Sequence, residues 1–287
     1  MKPKITIITI AHNEEQYIDK SIQSILNQNF KNFELIVVDD HSTDKTFDKI
    51  VSINDKRLIV IRNEAQLGPV ESRNRGIKQS KGEYIFFTDG DCYPHPDWLS
   101  EGLKAFRKFK CVGVEGKIIM NAETGAISEK IVRNITGGEY MTGNVAYRKD
   151  ILDRIGGFNE EFADYYEDRE IALRVLSYGK IIFNKDMIVE HQLKKWNISG
   201  FMLNARKVKG IILLYKRYRW SHYIWLRIIK PRELWLAFFP PFMLVPIFQG
   251  RVRSFFDLLF LPLFYIRSIY MRLIIWKTAF KERVFLV

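Results

Sequence analysis

The chain has 287 residues, 47% of them hydrophobic and 27% charged, enough to bury a full α/β core in one or two domains and too many for a peptide. Its two cysteines, Cys92 and Cys111, lie far apart and form no CxxC or Cys/His spacing, which excludes a disulfide framework and a structural zinc site and makes a reducing compartment the expectation. The formal net charge of +12 is unevenly spread: residues 201–287 hold 16 Lys+Arg against 3 Asp+Glu, and residues 1–200 hold 29 against 30.

The apolar run at 5–10 is too short for the core of a secretory leader and predicts a buried strand. A helix is expected over 14–28, where Tyr17, Ile18, Ile22, Ile25 and Leu26 fall at helical spacing, then a strand at 35–38 and a helix over 43–53. A strand at 58–62, a helix over 70–80 and a strand at 84–88 continue the alternation, which is the signature of strand-helix units on a mostly parallel sheet. Beyond it come a helix over 98–108, a strand near 112–120, a glycine-rich passage at 136–144 and a helix around 167–178. A basic helical stretch follows over 196–218, then two apolar segments at 234–248 and 255–266.

Each of the first four strands ends in a polar cluster: Ala11-His12-Asn13-Glu14, Asp39-Asp40, Asn63-Glu64 and Asp89-Gly90-Asp91. Carboxyl ends of parallel strands face one edge of an open sheet, where ligands bind, so four clusters at four strand ends imply a single site. Asp89 and Asp91, one residue apart on a turn, offer oxygen ligands to a hard divalent cation, which in turn can neutralise a diphosphate. Glu167-Asp168 opens a helix, where the helix dipole favours the anionic form that a general base needs.

The segments IITIAHNEEQYIDKSIQSILNQ, ELIVVDDHSTD, GPVESRNRGI, GEYIFFTDGDCYPHPDWL, TGNVAYRKDIL, IGGFNEEF and EDREIALR stand in that order. Together they resemble glycosyltransferase family 2, over about residues 4–192. The resemblance implies the GT-A fold, a Rossmann-like, mostly parallel sheet flanked by helices, and an inverting transfer of sugar from a nucleotide diphosphate donor. It puts Thr9, Ala11, Asn13 and Glu14 around the nucleotide and makes Asp39, with Asp40 beside it, the carboxylate that accepts the imide N–H of a uracil-like base. Arg73 then faces the donor's nucleotide or diphosphate, from near a helix N-terminus that itself suits phosphate. By the same resemblance Asp91 is the main ligand of Mn²⁺ or Mg²⁺, Asp89 lies near the ribose or the metal, and His191 reaches the metal or the diphosphate. Asp168 is the base, with Glu167, Gly143 and Asn144 on the acceptor side. Glu71-Ser72 departs from the alanines that often precede the arginine in the family.

The expected organisation is a glycosyltransferase domain over 1–195, with nucleotide-sugar binding in 1–110 and the acceptor region in 111–195, followed by a basic, apolar region over 196–287. The pairing of cations with Trp, Phe, Tyr, Leu and Ile in that region suits an anionic lipid surface, and nucleic acid is not an expected partner. The segment at 234–248 is uncharged but holds Pro240, Pro241 and Pro246 and spans about 22 Å, short of a roughly 30 Å hydrocarbon core. The segment at 255–266 is interrupted by Asp257 and Pro262 and is followed by Arg267 and Arg272. Insertion into one leaflet at the cytoplasmic face of the cell membrane is therefore expected ahead of a two-span hairpin. The leading expectation is transfer to a hydroxyl of a lipid-linked saccharide, because a base serves a hydroxyl and is dispensable for a phosphate. The alternatives are a polyprenyl-phosphate glycosyltransferase and a non-catalytic binder of nucleotides or membrane surfaces.

Overall fold

Six of the seven residues of β1 (Ile5–Ala11) are β-branched, and all but Ile10 are buried, as an interior strand of a covered parallel sheet requires. In a computed structural model describing residues 2–120, 125–163, 165–219, 224–225, 228–229, 247 and 251–284, β1 lies between β2 (Phe33–Asp39) and β4 (Tyr84–Asp89). The strand β3 (Leu58–Arg62) pairs on the far side of β2, and these four strands are mutually parallel. Their registers set Ala11 opposite Asp39, Asp39 opposite Arg62, and Ile10 opposite Asp89, so the four carboxyl ends come out level.

Alternation through the sheet supplies two apolar faces. Ile5, Ile7, Leu35, Val37 and Phe86 point to one core, together with α1 (Ile18–Leu26) and α4 (Trp98–Phe109). Ile8, Ile85 and Phe87 point to the other, with α3 (Gly68–Gln79), α5 (Lys149–Ile155) and α6 (Glu167–Leu176). A short α2 (Thr46–Val51) joins β2 to β3.

Past β4 the sheet is mixed. Its full order is β3-β2-β1-β4-β8-β6-β9-β5, with β5 (Cys92–Pro94), β6 (Gly113–Met120), β8 (Val145–Arg148) and β9 (Ile181–His191). The strand β8 runs antiparallel to both β4 and β6, whereas β6 and β9 are parallel. The expectation of a mostly parallel sheet holds, with four of the seven pairings parallel and the antiparallel ones all past β4. Sequence reading missed β5, β8 and α5, each too short for a periodicity to declare itself.

These elements belong to one compact unit, formed by residues 1–122, 132–163 and 167–192. A second unit collects residues 123–131, 164–166 and 193–287. It contains a two-stranded pair, β7 (Glu129–Lys130) with β10 (Lys194–Lys195), and the helices α7 (Ile198–Asn204), α8 (Val208–Tyr218) and α9 (Phe255–Lys281). The basic stretch expected as one helix is broken by a 3₁₀ turn at Ala205–Lys207. The second apolar segment runs on to Lys281 because Asp257 sits in the first turn, where Ser254 caps the helix, and because Arg267 and Arg272 are buried against its neighbours. The apolar segment at 234–248 lies outside the described residues apart from Ile247.

Trp98 opens α4 fully buried, edge-on to Phe86 at 5.2 Å between ring centroids, and donates its indole N–H to Asn144 Oδ1 at 2.8 Å. Trp98→Ala is expected to lower the unfolding free energy by about 3–5 kcal/mol in urea titration. Trp98→Phe keeps most of the packing, leaves the buried amide oxygen unpaired, and should cost about 1–3 kcal/mol.

Candidate active site

The exit of β1 turns sharply. Asn13 takes a left-handed backbone (φ 56°), and its side-chain oxygen accepts from the backbone N–H of Thr43 at 2.9 Å, while its own N–H donates to Ser42 Oγ at 3.0 Å. The N–H of Glu14 donates to Thr46 Oγ1 at 2.7 Å. Thr9 and Ala11 are buried beneath this turn, and Thr9 Oγ1 has no hydrogen-bond partner among the described residues.

Asp39 and Asp40 part company at the end of β2. Both oxygens of Asp40 are engaged by the loop before α3: Oδ1 accepts from Asn63 Nδ2 (2.7 Å) and the Leu67 N–H (2.8 Å), and Oδ2 from the Gly68 N–H (2.9 Å). Burial alone would raise its pKa, but these bonds outweigh it and hold the carboxyl below its ordinary value. Asp40 is thus a loop clamp. Asp39 has one oxygen engaged, Oδ2, which faces the Ser42 N–H at 3.3 Å and Arg62 Nε at 3.4 Å. Its Oδ1 is buried without a hydrogen-bond partner among the described residues, an open acceptor at the floor of the site.

Arg62 was not singled out from sequence. It ends β3, directly across the register from Asp39, and its guanidinium lies 4.1 Å from the Phe47 ring centroid. A cation at a strand tip was legible, but the partner strand was needed to see what it faces.

At the end of β4, the Gly90 N–H donates to the carbonyl of Ile10 at 3.0 Å. A Cβ on Gly90 would stand 3.2 Å from that carbonyl and 3.3 Å from Ala11 Cβ and Glu14 Cγ, so the middle position of Asp89-Gly90-Asp91 needs the smallest residue. Gly143 lies against the same turn: a Cβ there would meet Asp89 Oδ2 at 3.5 Å and Cys92 Sγ at 3.6 Å.

Arg73, buried on α3, donates to Asp89 Oδ1 at 3.0 Å and to Glu167 Oε1 at 3.2 Å. Burial opposes its charge, but the two carboxylates more than offset that and hold the guanidinium above its usual pKa. Rather than standing open for phosphate, it ties the turn after β4 to the start of α6. Beside Glu167, Asp168 accepts from the Arg169 N–H at 2.7 Å and keeps a partial solvent face. The helix N-terminus does not set its ionisation alone: burial, then the neighbouring Glu167 charge, push its carboxyl up to about 7, against the opposing pull of Arg169 and Arg73.

His191 closes the far side. Its Nδ1 is 2.8 Å from the Gln192 carbonyl, which can only accept, so Nδ1 carries a hydrogen and Nε2 is the ring nitrogen that faces Asp91 Oδ2, at 3.6 Å. The ligand atoms of Asp91, Cys92 and His191 all lie within 4.8 Å of one another. The carboxylate of Asp91 and the imidazole of His191 fit a divalent ion, whereas Cys92 beside them has its thiol pushed up by burial and by Asp91 and suits a hard cation poorly. The N–H of Gln192 donates to the carbonyl of Asp91 at 3.0 Å, which fixes the two chain segments together.

Asn144 turns its side chain inward: Oδ1 accepts from Trp98, and Nδ2 donates to the carbonyls of Lys117 and Met187, both at 2.8 Å. An acceptor-side contribution at this position therefore falls to the backbone. The glycine-rich passage just before it wraps a buried carboxylate. Gly137, Gly138 and Tyr140 have φ of 81°, 88° and 55°, and Glu115 accepts from the N–H groups of Gly138 (2.7 Å), Glu139 (2.8 Å) and Tyr140. Arg169 binds the same loop through the carbonyl of Gly138 (3.1 Å) and the carboxylate of Glu139, so the loop is fastened to the helix that carries Asp168.

The sequence model of Glycosyl transferase family 2 matches residues 6–158. An uncharacterized glycosyltransferase of Haemophilus influenzae is 32% identical over 206 residues, covering 68% of this chain and 59% of that protein, less than two thirds of its length. The Escherichia coli protein WfaP, a UDP-Glc:α-D-GlcNAc-diphosphoundecaprenol β-1,3-glucosyltransferase, is 31% identical over 217 residues, 72% of this chain and 82% of that one. Among solved structures, the Pyrobaculum calidifontis mannosyltransferase PcManGT in complex with GDP-Man and Mn²⁺ superposes with a TM-score of 0.59 at 18% identity, covering 94% of this chain and 74% of that one. S. aureus TarS 1–349 in complex with UDP-GlcNAc gives 0.58 at 18% identity, covering 98% and 93%. These two likenesses show the GT-A fold, a mixed sheet flanked by helices. With the family match over more than half of its length, the chain belongs to glycosyltransferase family 2.

Proposed function

We propose that this chain transfers a sugar, with inversion, from a uridine diphosphate sugar to a hydroxyl of a lipid-linked saccharide at the cytoplasmic face of a membrane. The observation that carries the reading is the placement of Asp168 at the start of α6, next to Glu167, which Arg73 ties to Asp89 in the turn after β4; burial raises its carboxyl to about 7, which suits a group that takes a proton from a hydroxyl. A phosphate acceptor, already ionised, needs no such group. WfaP, by its name, uses UDP-Glc and a diphosphoundecaprenol-linked sugar, which supports both the donor and the lipid-borne acceptor.

In this reading the open Oδ1 of Asp39 accepts the imide N–H of the base, and the turn formed by Thr9, Ala11, Asn13 and Glu14 borders the nucleotide. Arg73 positions Asp89 and Glu167 relative to each other. Asp168 takes the proton from the acceptor hydroxyl as it attacks the anomeric carbon on the face opposite the leaving diphosphate, while Gly143 and the Asn144 backbone line the acceptor side. Asp91, Asp89 through its Oδ2, and His191 would hold Mn²⁺ or Mg²⁺, which supplies charge neutralisation for the departing diphosphate. The catalytic domain covers 1–195, with the donor half in 1–110 and the acceptor half in 111–195, and the region 196–287 meets the membrane.

Asp168→Asn is expected to lower transfer by about 10²- to 10⁴-fold while leaving UDP affinity in calorimetry unchanged. Transfer at undiminished rate would sink the hydroxyl route. Because the carboxyl is raised to about 7, the protonated and inactive form prevails below that pH; kcat/KM should fall about tenfold per pH unit on the acid side and level off above. For the metal, Asp91→Ala should weaken Mn²⁺ binding at least about tenfold, as read by the paramagnetic resonance of free Mn²⁺, with a smaller loss for His191→Ala.

A further inference from the structure

The helix α9 buries a face that mixes polar and apolar residues and leaves an apolar face outward. Its buried face carries Asp257, Arg267, Ser268 and Arg272. Asp257 accepts from the backbone N–H and hydroxyl of Ser128, and Arg267 donates to Asn204 Oδ1 at 3.0 Å and lies 4.7 Å from the Phe201 ring centroid. The remaining inward residues, Phe260, Leu261, Phe264, Met271, Ile274, Ile275 and Ala279, pack on α7 and α8 in two clusters. The outward face is Phe255, Leu258, Leu259, Ile266, Ile269, Leu273, Trp276 and Phe280, with Phe255 81%, Leu273 54%, Trp276 50% and Phe280 89% exposed.

With exposed Pro262 between Leu259 and Ile266, this outward set recurs about every three to four residues and forms one stripe, about 38 Å long at 1.5 Å per residue. Pro262 belongs to the same exposed side, where the carbonyl left without its helical donor does no harm to the packing beneath. An exposed apolar stripe of this length does not suit water. Its flank is basic. Lys277 and Lys281 each follow a stripe residue by one position, about 100° around the helix, and exposed Arg253 and Arg283 bracket the two ends. Around it, residues 201–287 hold 16 Lys+Arg against 3 Asp+Glu, the complement of an anionic lipid surface.

By length and hydropathy, 27 residues with an 18-residue stretch of mean hydropathy 1.7, α9 could cross a bilayer. Its packing argues against that. Half of its most apolar window is buried on its own unit, and Arg267 and Arg272 fall in mid-helix on that packed side. A crossing would carry α8 into hydrocarbon as well, together with exposed Lys216 and Arg217.

We propose that the outward face of α9, from Phe255 to Phe280, is a membrane-docking surface that lies flat in the interfacial layer of an anionic bilayer, with the basic flank on the headgroups. This deepens the reading that the chain meets a membrane through residues 196–287, and the test is built to separate docking from transfer. The full chain is mixed with sealed vesicles of phosphatidylcholine and phosphatidylglycerol in about a two-to-one ratio, and with vesicles of phosphatidylcholine alone. Phe255→Cys and Phe280→Cys variants carry an environment-sensitive nitrobenzoxadiazole label; Cys92 and Cys111 are buried and should not compete for it.

The expected result is flotation with the anionic vesicles, weakened by salt, a brighter label at both positions, and reduction of both labels by dithionite added outside. The double variant Leu273→Lys, Trp276→Lys should lose at least about tenfold in the vesicle-bound fraction, with transfer to a water-soluble acceptor analogue unchanged. Flotation by that variant equal to wild type would overturn the proposal. So would one label shielded from dithionite, which marks a crossing helix, or a stable dimer that shields both labels without lipid, which marks a second copy on this face. Vesicle binding by a chain that transfers no sugar would refute the catalytic reading and leave the docking surface standing, and transfer without vesicle binding would do the reverse.

Discussion

One buried guanidinium organises the catalytic unit. Arg73 reaches from α3 to Asp89 at the end of β4 and to Glu167 at the start of α6, joining segments that lie 16 and 94 residues away in the chain. A buried charge without partners is costly, so the three elements hold one arrangement together or lose it together. The pairing is also unequal. Asp89 and Glu167 both bond this guanidinium, and Asp168 lies near enough to add to its field. Burial first, and the Glu167 charge second, raise the Asp168 carboxyl to about 7 despite the opposing pull of Arg169 and Arg73.

Several polar residues that look like ligand contacts in the sequence work inside the protein. Asp40 fixes the loop leading into α3, Asn144 holds α4, β6 and β9 in register through three hydrogen bonds, and Glu115 gathers the glycine-rich loop onto itself. Each satisfies backbone groups that would otherwise be buried without partners. The reacting groups are thus held by loops whose shapes are set from below, by carboxylates and amides that face the core.

The parallel half of the fold was legible because β-branched runs and helical periodicities alternate cleanly through residue 89. Level strand ends followed from topology. What escaped were the features that depend on neighbours in space. The strand β8 has four residues and no pattern of its own; pairing with β4 and β6 makes it a strand. Arg267 and Arg272 read as the end of an apolar segment, yet α9 passes through both because tertiary packing shelters them. A helix N-terminus argued for an ionised Asp168, but burial and the adjacent Glu167 outweigh the dipole. Spacing identified which residues approach the cleft, and could not tell which of their atoms turn inward.

The pairing of β6 with β9 slips at Gly116: Gly116 stands opposite Asn184, and Lys117 opposite Ile188, so Lys185, Asp186 and Met187 bulge out as surplus length. An unbroken ladder would put Ile188 across from Met120 and leave His191 about 10 Å beyond the Asp89-Gly90-Asp91 turn. With the bulge, His191 comes level with Met120 and with Cys92. Those three extra residues act as a mechanical spacer. Their number decides which side chain of β9 comes level with Cys92, and because Met187 among them is buried and bonded through its carbonyl to Asn144, a change of length here would disturb that anchor as well.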